Sequence, residues 1–350
     1  MMRSSYLEDD VILLLKDITG MVEPQSTQER ERLIQSGRHY CEMLPIEYVP
    51  TEKYMEVYAE ALRNYSKPVA VAVGRLCDKI IEKKGKNIVL VSLARAGIPI
   101  GILIKRYMKF RYDIEVSHYS ISIIRGKGID GNAIKYLLER YPAESLLFVD
   151  GWIGKGAILN QLKQAISEYK GVSADIAVVA DPANVTELCG THEDILIPSS
   201  CLNCTVSGLV SRTFLRDDII GKDDFHGAVY YGGLENSDLS YQFIQAIEDN
   251  FQLDCGSDES KSDGFGIDEV KKIAADFNIS DINFIKPGIG ETTRVLLRRV
   301  PYIVLIDEKY RNSDETVHII RLAKEKNVKV SYYPLVHYKC CGIIKKLSDV

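Results

Sequence analysis

From Asn87 onward the chain alternates short runs of β-branched and other apolar residues with amphipathic stretches long enough to form helices. This alternation is typical of a parallel sheet covered by helices, because each crossover between parallel strands needs about a dozen residues. We predict strands at 88–93, 114–124, 146–149, 176–179 and 195–197, and helices between them at 98–108, 133–140 and 157–169. The pattern predicts an α/β fold with a doubly wound sheet, whose ligands bind beyond the carboxyl ends of the strands.

The chain has 350 residues, more than one hydrophobic core usually serves, so we predict two domains. Residues 1–254 form the first, which begins with a mainly helical stretch up to residue 86. Residues 255–266 are rich in glycine, serine and acids, which is typical of a flexible linker. Residues 267–350 form a smaller second domain. From residue 266 on, 15 Lys and Arg stand against 11 Asp and Glu, whereas the whole chain has a net charge of -5.

Composition and cysteine spacing indicate an ordinary globular protein. With 46% hydrophobic and 27% charged residues the chain is neither disordered nor fibrous. Its longest apolar run near the start, residues 11–15, is far shorter than the roughly 20 residues that cross a bilayer. The eight cysteines lack the spacing of a disulfide framework, and the C-x-x-C of Cys201 and Cys204 is only half a zinc site. We therefore expect a cytoplasmic protein with no membrane contact and no metal site.

Two strand-to-helix turns have the composition of anion sites. Ser92 to Gly97 holds Arg95 at the end of one strand, and Asp150 ends another strand before a glycine-rich turn with Lys155. Such turns expose backbone N–H groups at the positive end of a helix and so bind phosphate. The predicted contacts are Ser92, Ala94, Ala96, Gly97, Asp150, Gly151, Gly154, Lys155, Gly156, Ala157 and Ile158.

This arrangement resembles the type I phosphoribosyltransferases, which use phosphoribosyl diphosphate (PRPP). The turn after Asp150 resembles their PRPP loop, Ser92 to Gly97 their pyrophosphate loop, and Arg125 to Gly128 their mobile catalytic loop. The resemblance implies that Asp150 holds the ribose and that Arg95, Arg125 and Lys127 neutralise the leaving diphosphate. It also implies Mg²⁺ bound with PRPP, and a homodimer.

Downstream, residues 198–213 are dense in hydroxyl and thiol groups. Ser207, Ser211 and Arg212 are expected to line an acceptor pocket above the sheet. A cysteine followed by a histidine, here Cys201 and His226, can also be a nucleophile and its base. Residues 30–250 resemble the bacterial family described both as StiP cysteine protease and as a phosphoribosyltransferase of tellurite-resistance-type stress operons. A cysteine protease is therefore an alternative function.

The second domain alternates helices and strands, which predicts a small α/β/α sandwich. The predicted helices are 268–277, 290–299, 315–326 and 338–347, and the predicted strands are 282–285, 302–306 and 328–332. Its glycine-rich turn at 286–294 resembles the helix start of the kink-turn RNA-binding fold found in ribosomal and Pelota-type proteins. The resemblance implies RNA contacts at Gly288, Gly290, Glu291, Thr292, Thr293, Arg294, Arg298 and Lys339.

Together these features predict a PRPP-dependent glycosyltransferase, a phosphoribosyltransferase that acts on a nucleobase or related small-molecule acceptor and binds RNA through its second domain. Because the turn after Asp150 lacks the hydroxyl side chains usual in that family, a second alternative is a non-catalytic RNA-binding regulator that senses PRPP or a nucleotide.

Overall fold

The computed structural model describes residues 2–345. Its larger sheet has six strands, and every neighbouring pair runs parallel. In spatial order the strands are β1 (Ile12–Leu13), β4 (Ser117–Ile121), β3 (Val89–Leu93), β7 (Leu146–Trp152), β8 (Ile176–Ala180) and β9 (Cys189–Thr191). Every residue of β3 and β8 is buried, as expected for strands covered on both faces.

Helices cover both faces of this sheet. Following α1 (Thr27–Gln35), the helices α2 (Glu52–Lys84), α3 (Gly97–Tyr112) and α6 (Ser240–Glu248) pack on one face, and α4 (Gly131–Leu138) and α5 (Ala157–Ile166) pack on the other. The first half of α3, residues 97–104, is fully buried because the helix lies between the sheet and α2. The α/β fold class predicted from the strand and helix pattern is confirmed.

Two small strand pairs lie beside this sheet. β2 (Lys16–Asp17) pairs with β10 (Gly227–Ala228), and β5 (Ile123–Ile124) forms a hairpin with β6 (Gly128–Ile129). The hairpin holds residues 125–127 at its tip. Strands β1 and β2 lie in a region that we predicted to be mainly helical, so that part of the prediction is wrong for residues 12–17.

The second sheet has four strands in the order β11 (Ile285–Pro287), β14 (Cys340–Ile344), β12 (Pro301–Ile306) and β13 (Lys329–Tyr332). Helix α7 (Gly266–Asp276) covers one face, and α8 (Ile289–Arg298) and α9 (Asp314–Glu325) cover the other. This is the predicted α/β/α sandwich. None of the helices formed by residues 2–345 is both long and apolar enough to span a bilayer.

Three predicted elements differ from the structure. The strand predicted at 282–285 is a turn of 3-10 helix at Ile282–Phe284, and β11 begins only at Ile285. The helix predicted at 338–347 is instead the strand β14, which pairs antiparallel with both β11 and β12; residues 346 and 347 lie outside the described part. Cys340, Cys341 and Ile343 are all buried, so both faces of the strand are covered. Such burial favours an inner strand over a surface helix. The strand predicted at 195–197 is a buried loop, and the sheet edge is formed by β9 instead.

The two units share one continuous apolar core. Leu196 of the first unit and Ile289 and Leu296 of the second belong to the same buried cluster. The segment that connects the units also contacts the first unit, and its flexibility stays a prediction. Asp258 accepts hydrogen bonds from the backbone N–H of His192 and the hydroxyl of Thr191, at 3.0 and 3.1 Å. The connecting segment has no regular secondary structure, and it is hydrogen-bonded to the first unit.

Candidate functional site

The two turns predicted to bind anions lie side by side at the carboxyl edge of the larger sheet. They follow β3 and β7, which are neighbours. Gly97 lies so close to β7 that a Cβ placed on it would stand 2.4 Å from the carbonyl oxygen of Val149. This contact permits no side chain at Gly97. The pairing of β3 with β7 places Arg95 and Asp150 at the same edge of the sheet, as the sequence predicted.

The Ser92 and Arg95 side chains of the first turn bond to other protein groups. The Ser92 hydroxyl donates to the Gly97 carbonyl at 3.0 Å and contacts His118 Nε2 at 2.7 Å. The Arg95 guanidinium donates to the Val210 carbonyl at 2.7 Å and to the Glu47 carboxylate at 3.0 Å.

The second turn is covered by the second unit. Lys155 Nζ donates to the carbonyl oxygens of Ile282 and Ile285, at 2.8 and 3.0 Å, and the Tyr338 hydroxyl donates to the Gly154 carbonyl at 2.6 Å. Burial lowers the pKa of Lys155 to about 8. Burial also raises the pKa of Asp150 to about 6, although that carboxylate accepts the N–H of Gly151.

The hairpin tip between β5 and β6 joins three parts of the chain. The Arg125 backbone N–H donates to the Tyr40 hydroxyl at 2.9 Å, and its guanidinium donates to Asn283 Oδ1 of the second unit at 2.9 Å. The Gly126 N–H donates to Gln161 Oε1 at 2.9 Å. Lys127, next on this tip, is close enough to Cys41 for its charge to favour the thiolate.

The predicted acceptor residues have structural partners. Ser211 is buried; its hydroxyl donates to the Arg212 carbonyl at 2.6 Å and accepts the Val229 N–H at 2.9 Å. Ser207 is also buried and bonds only weakly to the Asn203 carbonyl, at 3.4 Å. Burial, together with the neighbouring Arg95, lowers the pKa of Arg212 to about 10.

Cys201 and His226, the predicted nucleophile and base, lie in different surroundings. Cys201 is fully buried; its carbonyl accepts Arg298, and burial raises the pKa of its thiol to about 12. His226 lines a groove of about 480 Å³, where its Nδ1 contacts the Ser122 hydroxyl at 2.8 Å. Its backbone N–H donates to Asp130 at 2.6 Å. Within residues 2–345 no hydrogen bond joins Cys201 to His226.

A different cysteine and histidine are in contact. His39 precedes a single turn of 3-10 helix at Tyr40–Glu42, and its Nδ1 lies 2.9 Å from Cys41 Sγ. The Tyr40 ring stacks on the His39 ring with centroids 4.5 Å apart. Cys41 is only 1% exposed, but His39 is half-buried and lies beside Gly126 of the hairpin tip. Sequence reasoning missed this pair, although the signal was present as the local motif His39-Tyr40-Cys41.

A second sulfur–imidazole contact lies at the far end of the same sheet. Cys189 Sγ is 3.3 Å from His192 Nε2, and both residues are buried near Asp181. Among the described residues, Asp181, Cys189 and His192 form a group whose side chains could bind a metal ion.

The predicted RNA-binding turn faces the first unit. The Ile289 N–H, in the first turn of α8, donates to the Asp194 carboxylate. Thr293 bonds back to the Ile289 carbonyl at 2.8 Å and contacts His318 at 2.9 Å. The remaining predicted contacts are also placed by protein groups: Gly288 beside Trp152, Gly290 beside Ser200, Thr292 bonded to the Lys286 carbonyl, Arg294 paired with Glu291, Arg298 bonded to Cys201, and Lys339 paired with Glu315.

Cations from both units approach one another beside α8. Burial lowers the pKa of Arg298 to about 10, and the charges of Arg294 and Arg95 act in the same direction. Arg294 also acts on Arg212 in this way. Positive charges of both units therefore act on one another beside α8.

Two family models match the chain. Residues 4–248 match the family described as "Tellurite-like stress resistance cysteine protease StiP", and residues 265–346 match "PELOTA RNA binding domain". A protein of Acinetobacter baylyi (strain ATCC 33305 / BD413 / ADP1) described as "Cysteine protease StiP" is 33% identical over 373 residues, which cover 98% of this chain and 94% of that protein.

Solved structures show only a distant likeness. A hypoxanthine-guanine phosphoribosyltransferase from Bacillus anthracis str. 'Ames Ancestor' is 16% identical, covers 41% of this chain and 75% of its own, and has a TM-score of 0.24. A Helicobacter pylori xanthine-guanine-hypoxanthine phosphoribosyltransferase is 15% identical, covers 37% and 76%, and also has a TM-score of 0.24. Likeness at this level says nothing about activity.

The predicted phosphoribosyltransferase activity, and with it the glycosyltransferase class, is wrong. The family model and the Acinetobacter relative are both described as a cysteine protease, which was our alternative. In the structure, Lys155 and Arg95 are already bonded to carbonyl or carboxylate groups of the protein. PRPP, an acceptor and a homodimer gain no support from the comparisons, and Mg²⁺ and the PRPP-sensing regulator stay untested predictions. The second match confirms a C-terminal Pelota RNA-binding domain.

Proposed function

The chain belongs to the StiP family of tellurite-like stress resistance cysteine proteases, and on this premise we propose that it hydrolyses peptide bonds with Cys41 as the nucleophile and His39 as the general base. The contact between Cys41 Sγ and His39 Nδ1, at 2.9 Å, carries this proposal. It has the geometry that a thiol nucleophile needs, because the base must lie within hydrogen-bond reach of the proton it removes.

The arrangement also favours the required tautomer of His39. The backbone N–H of Cys41 points to the same Nδ1 atom, at 3.4 Å. An N–H donor needs an unprotonated nitrogen as its acceptor, so the ring proton belongs on Nε2 and the Nδ1 lone pair faces the thiol. His39 can then accept the Cys41 proton without changing its orientation.

The reaction follows the general scheme of thiol acyl transfer. Cys41 gives its proton to His39 Nδ1, and the thiolate sulfur attacks the carbonyl carbon of the substrate. The carbon–nitrogen bond then breaks, the leaving amine takes the proton from the His39 imidazolium, and a thioester remains on Cys41. A water molecule that loses a proton to His39 attacks the thioester, which releases the carboxylic acid and restores the thiol.

Cys41 is a thiol in the resting state. Burial raises its pKa to about 11; Glu42 adds to the rise, and Lys127 opposes it. A free thiolate is therefore scarce at neutral pH, and proton transfer to His39 has to accompany the attack. This protects the sulfur from oxidation until a substrate is present.

Access to Cys41 depends on the hairpin tip at residues 125–127. Gly126 lies beside His39 Nε2, and the tip is held by the bonds of Arg125 to Tyr40 and Asn283. Cys41 is 1% exposed and its Sγ also contacts the Leu215 carbonyl at 3.6 Å, so a peptide reaches the thiol only after neighbouring groups move. We propose that the hairpin tip is the part that moves. The bond to Asn283 makes that movement dependent on the second unit.

The proposal is tested by cleavage of a fluorogenic peptide library and of denatured casein under reducing conditions. We expect C41A to lose at least about 1,000-fold in rate and H39Q at least about 100-fold, while C201A, which also removes a buried thiol, stays close to wild type. Wild-type protein that cleaves none of these substrates would overturn the hydrolase proposal. Loss of cleavage in C201A together with an active C41A would move the nucleophile to Cys201.

RNA contact is a second function, which the Pelota match supports for the C-terminal unit. We propose Arg294 as a contact to RNA phosphates, because its charged side chain is 42% exposed and lies on α8, the helix that follows the predicted RNA-binding turn. Arg298 is a weaker candidate, since its guanidinium donates to the Cys201 carbonyl at 3.2 Å. An RNA bound at Arg294 would lie against both units.

A further inference from the structure

A group of three residues at the end of the larger sheet has no part in the proposed hydrolysis. Asp181 follows β8, Cys189 begins β9, and His192 follows β9. The strands β8 and β9 are parallel neighbours, so their carboxyl ends bring Asp181 and His192 together. One possible ligand atom from each residue lies within 4.8 Å of the other two.

The imidazole of His192 is oriented as in a metal ligand. Its Nδ1 lies 3.0 Å from the backbone carbonyl of Asp181, so Nδ1 carries the proton and donates to that oxygen. This leaves the Nε2 lone pair facing Cys189 Sγ at 3.3 Å. Metal-binding histidines usually donate their other ring N–H in this way to a carbonyl or carboxylate.

The carboxylate of Asp181 is a second, independent indication of a metal site. The side chain is fully buried, and its Oδ2 accepts the N–H groups of Val185 and Thr186, at 2.6 and 2.7 Å. Its Oδ1 is buried without a hydrogen-bond partner among the described residues. A buried polar atom without a partner destabilises the fold, so its retention calls for an explanation.

We propose that Asp181, Cys189 and His192 bind one Zn²⁺ ion through Oδ1, Sγ and Nε2. In a tetrahedral zinc site, a sulfur and a nitrogen ligand stand about 3.5 Å apart, close to the 3.3 Å seen between Cys189 and His192. A thiolate and a carboxylate together balance the charge of a divalent ion. The set of thiolate, imidazole and carboxylate suits zinc better than Mg²⁺ or Ca²⁺, which prefer oxygen ligands alone.

With three protein ligands, the fourth position on the ion is left for a water molecule or another small ligand. No metal site was predicted from the sequence, because the C-x-x-C of Cys201 and Cys204 has no further pair of ligands nearby. The spacing Cys189-Gly-Thr-His192 was overlooked, and Asp181 joins it only because β8 and β9 are adjacent.

The position of the site suggests what the ion does. The connection between the two units crosses directly over it, since the His192 N–H donates to Asp258 Oδ2 and Ser260 Oγ, both at 3.0 Å. Asn184, in the loop between β8 and β9, holds the same connection through the carbonyls of Ser262 and Gly264. Zinc would fix this loop and so stabilise the attachment of the RNA-binding unit.

Metal binding is tested on the full chain with Co²⁺ as a spectroscopic probe. Reduced protein is treated with a chelator, dialysed and titrated with Co²⁺, and then Zn²⁺ is added. We expect one equivalent of Co²⁺ with an intense thiolate-to-cobalt absorption band, which Zn²⁺ removes. C189S should lose the band, and C41S should keep it, because Cys41 belongs to the separate pair with His39.

D181N provides a second variant that conserves the fold. The asparagine carbonyl can still accept the N–H groups of Val185 and Thr186, and only the ligand oxygen is replaced. We expect its Co²⁺ affinity to fall at least about ten-fold. The proposal is wrong if the wild-type chain gives no thiolate band, if C41S rather than C189S removes the band, or if D181N binds Co²⁺ like the wild type.

Discussion

The carboxylate of Asp194 accepts the backbone N–H of Ile289 with both of its oxygens, at 3.0 and 3.1 Å. The same carboxylate accepts the N–H of Lys339 at 2.9 Å. A residue of the first unit therefore caps α8 of the RNA-binding unit, and it does so at the helix start that would otherwise present free N–H groups to a phosphate. The Ile289 N–H is not available to an RNA phosphate while Asp194 accepts it.

This cap predicts a pH-dependent stability. Burial raises the pKa of Asp194 from 3.8 to about 6, so the folded chain binds this proton more tightly than the unfolded chain does. The resulting contribution to the free energy of unfolding is complete below pH 3.8 and is lost as the pH rises through about 6. We expect the stability of the wild type relative to D194N to fall across that interval in urea titrations. A difference that rises with pH, or stays constant, would contradict this assignment.

The hydrogen bond between Arg125 and Asn283 predicts that substitutions of these two residues change the alkylation rate of Cys41 in a coupled way. R125A and N283A remove the same side-chain hydrogen bond, worth about 1 kcal/mol, which corresponds to about a five-fold change in the population of the open tip. Alkylation of Cys41 by iodoacetamide should accelerate by this factor in each variant and by no more in the double variant. Unchanged alkylation rates would show that the tip does not control access.

Arg294 offers a charge-matched test of RNA binding. Arg294 pairs with Glu291 and Arg311 pairs with Glu308, both three residues apart along the chain, at 2.7 and 2.8 Å. R294E and R311E therefore change the net charge equally and break similar ion pairs. We expect R294E to weaken binding of a kinked RNA stem at least about ten-fold and to reduce its salt dependence, with R311E close to wild type. Equal losses in both variants would indicate a nonspecific charge effect.

Gly190 explains how closely α2 approaches the edge strand β9. A Cβ at Gly190 would stand 2.1 Å from the Ala72 carbonyl oxygen. The Cβ position is set by the backbone of β9 and the carbonyl belongs to the backbone of α2, so neither can rotate away. We expect G190A to lower the free energy of unfolding by about 1–3 kcal/mol. The control is G233A, because a Cβ at Gly233 meets nothing within 4 Å. Urea unfolding of both variants measures the difference, and equal stabilities would refute the close contact.

The sequence predicted the features that depend on local pattern. The buried runs of β3, β7 and β8 were identified, because a continuous apolar run is the signature of a central parallel strand. The glycine-containing turns after β3 and β7 were identified as well. The helix at 338–347 was mispredicted, since Cys340 to Ile344 is too short a run for periodicity to separate a strand from a buried helix.

The chemistry of the site was less accessible to prediction. Arg95 and Lys155 looked like anion-binding residues, but their partners, Glu47 and the carbonyl of Ile282, come from distant parts of the chain. The pair of His39 and Cys41 is local in sequence, yet only the fold shows that the ring turns back onto the sulfur. Likewise, Asp181 joins Cys189 and His192 only through the pairing of two strands.

The most direct test of Cys41 as the nucleophile is to trap it with a peptidyl chloromethyl ketone and to locate the label by mass spectrometry of the digested full chain. A histidine that accepts the thiol proton accelerates this alkylation, so we expect one label per chain on Cys41 and a large loss of labelling in H39Q. Labelling of Cys189 or Cys201 in place of Cys41, or unchanged labelling of Cys41 in H39Q, would contradict the account.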